Sequence, residues 1–206
     1  AYQRAPSAQL AGQLHECSEP RRQELLRRIN MAPGGTHALV KMREDLLREI
    51  KADSALATVD GDFRHLMRSW FNRGFLRCEQ IDWRTSAAVL EKLMNYEAVH
   101  PMAGWEDLRR RLAPDRRCFA FFHPSMADEP LIFIEVALTR GVATSVQRLL
   151  TEAIDAQAEY QADTAIFYSI SDCQAGLRGI SLGNFLIKQV VMELQRELPN
   201  LQYFIT

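Results

Sequence analysis

The segment with the clearest chemical potential is R-G-I-S-L-G-N, residues 178–184, between an apolar run and an apolar-periodic helix. A helix N-terminus presents backbone N–H groups that have no partners, together with the positive end of the helix dipole. Glycines there let a phosphate approach the backbone, because they have no Cβ. The string matches neither the Rossmann nor the Walker pattern. A phosphate-binding loop and a tight strand-to-helix turn therefore both remain open.

Serine and histidine side chains near this segment could suggest nucleophilic or acid–base chemistry. Ser169 and Ser171 alternate on the apolar run before the loop, so they share one face of a strand, which looks toward either a ligand or the core. His100 and His123 each precede a proline, which favours extended or turn conformations. A structural or surface role is the favoured interpretation for both histidines.

A cluster of arginines forms the densest positive charge in the chain. In most proteins such a cluster is a solvated helix face, but arginine forks also suit phosphate oxygens. Both interpretations stay open for this cluster, which comprises Arg109, Arg110, Arg111, Arg116 and Arg117.

The elements that must position these residues differ between the two parts of the chain. Residues 1–97 show apolar side chains at three- and four-residue spacing, which predicts amphipathic helices. Two examples of the spacing are Leu39, Met42, Leu46 and Ile50, and Phe63, Leu66, Met67 and Trp70.

Short runs rich in Phe, Ile, Val and Leu begin near residue 118. "CFAFFH" and "LIFIEVAL" flank a turn with proline at both ends, which predicts a strand–loop–strand unit. "AIFYSIS" predicts a further strand, and it is followed by the glycine segment, the helix "GNFLIKQVVMELQREL" and the last strand "LQYFIT". A strand–helix–strand unit with a helix of this length predicts a parallel strand pair.

Composition excludes several classes of protein. The chain has 206 residues, 47% hydrophobic and 25% charged, with a formal net charge of −1, so there is no basic excess for nucleic acid. No stretch reaches the roughly 18 apolar residues of a membrane span. The four cysteines lie far apart without a C-x-x-C pair, so we expect structural thiols, a reducing compartment and no metal site.

Several long stretches contain unusual motifs. They are "NYEAVHPMAGWEDLRRRLAPDRRCFAFFHPSMADEPLIFIEVAL" and "AIFYSISDCQAGLRGISLGNFLIKQVVMELQRELPNL", with the earlier helices "MREDLL" and "MRSWFNRGFL". Together they make the chain similar to the malonyl-CoA decarboxylase family over nearly its whole length. The segment from Arg178 also resembles the pyrophosphate loop of the acyltransferase-like (GNAT) fold, with Ser181 where that motif usually has glycine.

The resemblance implies an α+β protein with two domains. Residues 1–97 would form a helical, oligomerisation domain, and residues 98–206 the N-terminal part of a GNAT-like catalytic domain, a mixed β-sheet with helices. We expect the chain to be truncated after the strand that follows the helix of the CoA loop. A homo-oligomer, dimer or tetramer, would assemble through the helical domain.

The resemblance also implies a binding site for the CoA thioester. The loop residues are Arg178, Gly179, Ile180, Ser181, Leu182, Gly183 and Asn184, whose backbone amides would hold the pyrophosphate. The strand containing Tyr168, Ser169, Ile170 and Ser171 would run beside the pantetheine arm. The cluster Arg109–Arg117 could meet the 3′-phosphate of coenzyme A.

The activity implied is the conversion of malonyl-CoA to acetyl-CoA and CO2, with no cofactor other than the CoA thioester substrate. The family's catalytic serine and histidine are expected beyond Thr206, so no serine or histidine of this chain is assigned that role. An acyl-CoA-dependent N-acyltransferase and a non-catalytic CoA-binding or helical interaction module are the alternatives. The expected location is the cytoplasm, with mitochondria or peroxisomes as organellar alternatives, and neither nucleic acid nor membrane is an expected partner.

Overall fold

The structure is a computed structural model that describes residues 7–143, 145–151, 157–182 and 185–206, apart from the side chains of residues 15–17 and 158. It divides into two compact units, Ala1–Trp70 and Phe71–Thr206. The first is helical, and the second contains a mixed β-sheet with helices. The predicted α+β fold class is confirmed.

The first unit consists of amphipathic helices whose apolar faces are buried. Its helices are α1 (Ala8–Ser18), α2 (Arg21–Met31), α3 (Gly35–Glu49) and α4 (Leu56–Trp70). Helices α2, α3 and α4 pack on one another. Leu39 and Val40 of α3 and Met67 of α4 are fully buried there, whereas Met42, which the apolar spacing placed with Leu39, is 46% exposed. Helix α1 has no counterpart in the predicted elements.

Buried polar pairs tie α4 to its neighbours within this unit. Arg43 Nε donates to Asp60 Oδ1 at 2.8 Å, and the arginine side chain is almost completely buried. Asp62 accepts from Gln23 Nε2 at 2.8 Å and from Arg22 Nε at 2.9 Å. Since buried charges need partners, these contacts fix which face of α4 turns inward.

The second unit alternates strands and helices. Its elements are β1 (Arg77–Ile81), α5 (Ala87–Tyr96), α6 (Trp105–Arg111), β2 (Arg116–Phe122), β3 (Pro130–Thr139), α7 (Val146–Thr151), α8 (Ala158–Gln161), β4 (Thr164–Asp172), α9 (Phe185–Glu197) and β5 (Tyr203–Ile205). Short 3-10 turns lie at Arg73–Phe75, Pro124–Met126 and Ala175–Leu177.

The strands of the described residues form one sheet in the order β1-β2-β3-β4-β5. The pairs β1–β2, β2–β3 and β3–β4 are antiparallel, and the pair β4–β5 is parallel. The predicted strand–loop–strand unit (β2 and β3) and the predicted parallel pair (β4 and β5) are therefore both confirmed. Strands β2 and β3 are buried on both faces, which explains their continuous apolar runs.

One face of the sheet packs against α5 and α6. Leu90 and Leu93 of α5 and Leu108 of α6 lie in one apolar cluster with Ala120 and Phe133 of the sheet. This cluster is almost completely buried, so α5 and α6 pack closely against β2 and β3.

The boundary between the units differs from the one predicted after residue 97. The compact units divide between Trp70 and Phe71. Strand β1, which was not predicted, pairs with β2, where Cys78 lies opposite Phe121. Since β1 completes the sheet and α5 packs against it, residues 71–97 belong with the sheet and not with the helical unit.

The cysteines whose side chains are described, Cys78, Cys118 and Cys173, are free thiols. Burial raises the pKa of Cys78 to about 12 and also raises the pKa of Cys118 and of Cys173. Such thiols are mostly protonated and react slowly. Across the described ranges, no helix combines the length and the apolar character that crossing a bilayer requires.

Candidate functional site

The predicted loop lies at one defined end of the sheet. The register places the start of β1, the end of β2 and the start of β3 side by side, since Arg77 lies opposite Phe122 and Phe122 opposite Pro130. The end of β4 is at the same edge, because Asp172 lies opposite Ile132. The loop between β4 and α9 therefore starts at this end, which we call the loop end of the sheet.

Apolar and amide contacts anchor the first part of the loop. Leu177 and Ile180 are buried, and the Ile180 N–H donates to Leu177 O at 2.9 Å. Gln174 Nε2 donates to Pro130 O at 3.0 Å, which ties the loop to the start of β3. Gly179 has φ +75°, a left-handed conformation that glycine adopts without strain.

The polar groups of the loop point outward from this anchor. Arg178 and Ser181 are exposed. Within the described part of the chain, the Arg178 guanidinium has neither a carboxylate partner nor a side-chain hydrogen bond. Of the seven predicted loop residues, Gly183 and Asn184 lie outside the described residues. The other five follow the 3-10 turn Ala175–Leu177, and Arg178 and Gly179 among them form a turn.

Strand β4 has an unpaired backbone edge beside the loop. It pairs with β5 only through residues 164–166. Among the described strands, residues 167–172 pair only with β3, so the backbone on their other side is open. The register with β3 shifts between Glu135 and Val136, which makes Tyr168 an extra, bulged residue. Bulges bend a strand and increase its twist, and this bulge occurs where pairing with β5 stops.

The side chains of the two β4 serines point into the core. Ser169 Oγ donates to Glu97 at 3.0 Å from Oε2 and 3.1 Å from Oε1, and Ser171 Oγ donates to Glu97 Oε2 at 3.0 Å. Glu97 Oε1 also accepts from the backbone N–H groups of Val99 and His100, at 2.9 and 2.6 Å. Of the two possibilities for this strand face, a ligand or the core, the structure shows the core.

A buried ion pair lies beside the bulge. Arg111 Nη1 donates to Glu135 Oε2, and Arg111 Nη2 donates to His100 O at 2.9 Å. The Arg111 guanidinium lies 5.7 Å from the Tyr168 ring centroid. Burial raises the pKa of Glu135 to about 7, against the opposing effect of Arg111, and burial also raises the pKa of the Tyr168 phenol.

Ile170 is the exception among the four predicted strand residues. Its side chain is 41% exposed, whereas Tyr168, Ser169 and Ser171 are buried. Because side chains alternate along a strand, Ile170 lies on the face opposite the serines. Asp172, the last residue of β4, is exposed as well, so the exposed surface of this strand next to the loop consists of an apolar side chain, a carboxylate and open backbone.

Both candidate histidines have structural contacts. The His123 ring lies 5.0 Å from the Phe71 ring, and its Nδ1 accepts from the Ser125 N–H at 3.2 Å. The backbone of His100 bridges Glu97 and Arg111 through its N–H and its carbonyl oxygen. These contacts agree with the structural interpretation favoured for both.

The arginines of the cluster are occupied by ion pairs, and only Arg111 lies beside β4. Arg110 makes a bidentate pair with Asp115 at 2.7 and 2.9 Å, and Arg117 pairs with Glu197 at 2.8 Å. Arg116 also pairs with Asp115, at 3.0 Å. Arg116 lies opposite Ala137, which is level with the beginning of β4, so this part of the cluster is at the end of the sheet away from the loop. Its phosphate-binding interpretation has no support from this placement.

One functional candidate was missed by the sequence analysis. The Arg73 guanidinium lies 4.7 Å from the ring centroid of Phe185, the first residue of α9. No local pattern indicated this contact, because the two residues are distant in sequence.

A glycine-containing loop that leads from a strand into a helix, next to an open strand edge, is typical of α+β domains that bind a phosphate-bearing ligand. Comparison with known proteins makes this more specific. The model of the malonyl-CoA decarboxylase C-terminal domain matches residues 74–206, and that of the N-terminal domain matches residues 1–71. The chain therefore belongs to the malonyl-CoA decarboxylase family.

Curated relatives and solved structures agree with this membership. The chain is 39% identical over 191 residues to "Malonyl-CoA decarboxylase, mitochondrial" of Anser anser anser and of Mus musculus, which covers 90% of this chain and 38% and 39% of those proteins. It is 57% identical to the crystal structure of malonyl-CoA decarboxylase from Rhodopseudomonas palustris, with a TM-score of 0.92 over 98% of this chain and 50% of that one. The corresponding structure from Cupriavidus metallidurans is 45% identical, with a TM-score of 0.77 over 89% of this chain and 44% of that one.

The chain thus spans less than half the length of the curated relatives and about half that of the R. palustris structure.

Proposed function

We propose that the protein containing this chain converts malonyl-CoA to acetyl-CoA and CO2, and that residues 71–206 supply the binding site for the CoA thioester. Family membership over both units supports the reaction. The observation that supports the binding role is the position of the predicted loop, between the open edge of β4 and the start of α9.

In this proposal the loop residues 178–184 hold the pyrophosphate of coenzyme A. Exposed Arg178 supplies positive charge, and the left-handed Gly179 turns the backbone at the point where a phosphate would approach. The pantetheine arm pairs with the open backbone of residues 167–172, next to exposed Ile170. This is the arrangement that the resemblance to the GNAT fold implies.

The chemistry requires more than binding. Loss of CO2 from a malonyl thioester leaves an enolate, which needs stabilisation of its oxygen and a proton at carbon. The resemblance assigns those tasks to a serine and a histidine expected outside residues 1–206. Residues 71–206 bind the thioester and orient it, and we propose no cofactor beyond the substrate itself.

Assembly and location complete the proposal. We infer a homo-oligomer, dimer or tetramer, formed through the helical unit, on which Leu25 and Met31 expose apolar surface. We propose the cytoplasm or an organelle such as the mitochondrion or peroxisome as the location. Two of the relatives are named as mitochondrial.

The chain offers a matched pair of glycines to test the loop. Gly179 (φ +75°) and Gly141 (φ +69°) are both left-handed, and a Cβ at either would meet no atom within 4 Å. An alanine at either position costs about 1–2 kcal/mol of backbone strain. Only Gly179 lies in the loop, so in the full-length protein we expect Gly179→Ala to raise the KM for malonyl-CoA about tenfold and Gly141→Ala to leave it unchanged.

The measurement is the release of acetyl-CoA from malonyl-CoA without an amine acceptor. Equal KM values for the two variants would remove the loop from the binding site. Turnover that requires an added amine would replace decarboxylation with N-acyl transfer.

A further inference from the structure

We propose that Arg73 is a further phosphate-binding residue of this site, which contacts the phosphates of the CoA nucleotide beside the start of α9. The inference rests on the proposed function. It adds to the site a residue that precedes the sheet in the chain and lies outside the predicted loop.

The topology brings Arg73 to the correct end of the sheet. Arg73 precedes β1 by a few residues, and β1 starts at the loop end, opposite the last residue of β2. Helix α9 also starts after the loop, at this end. The 4.7 Å distance between the Arg73 guanidinium and the Phe185 ring shows that the two segments meet there.

The backbone that carries Arg73 is held on both sides. Before it, Phe71 is buried and packs on the His123 ring. Asn72 Oδ1 accepts from the Gly74 N–H at 2.9 Å, which caps the 3-10 turn. After it, Phe75 also contacts the His123 ring, at 6.4 Å. The guanidinium therefore projects from a fixed turn.

The Phe185 ring determines how the arginine can act. A guanidinium over an aromatic face is attracted by the ring and uses none of its N–H groups on a carboxylate. Its five donors keep the fork geometry that matches phosphate oxygens. Arg73 is exposed, so these donors are accessible to a ligand.

The charges around the start of α9 remain unbalanced in the described part of the chain. Neither Arg73 nor Arg178 has a carboxylate within ion-pair distance there, and the described first turn of α9 contains no acidic residue. By contrast, the arginines of the Arg109–Arg117 cluster are paired with carboxylates. An arginine over the first residue of α9, without a carboxylate partner among the described residues, favours binding of an external anion at this helix N-terminus.

The test compares Arg73→Ala with Arg84→Ala in the full-length protein. Arg84 is also an exposed arginine, so its removal changes the net charge equally. It follows the far end of β1, away from the loop end. Binding of CoA and of dephospho-CoA, which lacks the 3′-phosphate, is measured by calorimetry. We expect Arg73→Ala to weaken CoA binding about tenfold and Arg84→Ala to change it less than twofold.

The two ligands identify the phosphate involved. Equal weakening for CoA and dephospho-CoA assigns Arg73 to the pyrophosphate, and weakening for CoA alone assigns it to the 3′-phosphate. Either result supports the inference. Unchanged affinity in Arg73→Ala, or equal losses in Arg73→Ala and Arg84→Ala, overturns it while the proposed function stands.

Phe185→Leu provides a second measurement, because it keeps apolar volume and removes the aromatic face. We expect weaker CoA binding in Phe185→Leu and no additional loss when it is combined with Arg73→Ala, since the ring acts by positioning the arginine. Additive losses would contradict this positioning role. Failure of the unmodified protein to bind CoA at all would overturn the proposed function, and this inference with it.

Discussion

At the scale of single residues, Glu135 is an ionisable side chain in an environment that disfavours its charged form. It is fully buried in β3, and burial raises the pKa of its carboxyl to about 7 even though Arg111 donates to it. A buried carboxylate is costly unless it is paired and hydrogen-bonded. The neighbouring Tyr168 is the bulged residue of β4, so this environment lies directly beside the open edge.

The raised pKa of Glu135 predicts how stability depends on pH. The folded state binds the proton more tightly than the unfolded chain, whose carboxyl has the ordinary pKa of 4.5. The contribution of Glu135 to the free energy of unfolding is therefore complete below about pH 4.5 and is lost as the pH rises through about 7. We expect Glu135→Gln to remove this loss.

Urea unfolding between pH 4.5 and 8 measures the effect. The free energy of unfolding of the unmodified protein, relative to that of Glu135→Gln, should fall across this range. Glu79→Gln, which changes an exposed glutamate of β1, is the control and should follow the unmodified protein. Parallel curves for Glu135→Gln and the unmodified protein would contradict the expected proton uptake.

At the scale of elements, one face of β4 is held by hydrogen bonds, while no described strand pairs with part of one edge. Glu97 accepts hydrogen bonds from two serines of β4 and from two backbone N–H groups that follow α5. These bonds fix residues 169–171 without using the edge that would pair with β5. An unpaired strand edge normally pairs with other strands, and we propose that here it pairs with the ligand.

This arrangement predicts the effect of Glu97→Gln. The amide cannot accept all of these hydrogen bonds, and each buried donor without an acceptor costs about 1–3 kcal/mol. We expect faster hydrogen exchange at the amides of residues 167–172 and weaker CoA binding, because the edge loses its fixed position.

Hydrogen exchange with mass spectrometry tests this, with Glu91→Gln on the exposed face of α5 as the control. Exchange that rises equally in β2 and β4 would indicate general destabilisation. Unchanged exchange in β4 would mean that Glu97 does not hold the strand.

At the scale of the whole molecule, we assign different roles to the two units. The residues proposed for CoA binding all belong to the unit Phe71–Thr206. The helical unit exposes apolar side chains on its helices, among them Leu25 (58% exposed) and Met31 (77% exposed) on α2. We propose that the subunit interface includes this exposed surface of the helical unit.

We therefore expect the double variant Leu25→Asp/Met31→Asp of the full-length protein to form smaller assemblies with an unchanged KM for malonyl-CoA. Val142→Asp, which alters an exposed apolar residue of the sheet unit, is the control. Analytical ultracentrifugation measures the assembly state. Retention of the original assembly in the double variant would place the interface elsewhere.

Strong local patterns were sufficient to predict much of the fold. The apolar runs of β2, β3 and β4 and the periodic helix α9 were identified correctly, because burial on both faces or along one stripe leaves a signature within a few residues. Strand β1, R-C-E-Q-I, was missed, since most of it is exposed at the sheet edge and it has no apolar alternation. The predicted boundary after residue 97 differs from the structure for the same reason.

By itself the sequence determined the fold class, the family and the loop between β4 and α9, because these depend on residues that are close together in the chain. Only the tertiary structure decided that Ser169 and Ser171 bond Glu97, that the Arg109–Arg117 cluster is paired, and that Arg73 lies over Phe185. These outcomes depend on partners far away in sequence. Whether a polar side chain is free for a ligand is decided by which partners folding places beside it.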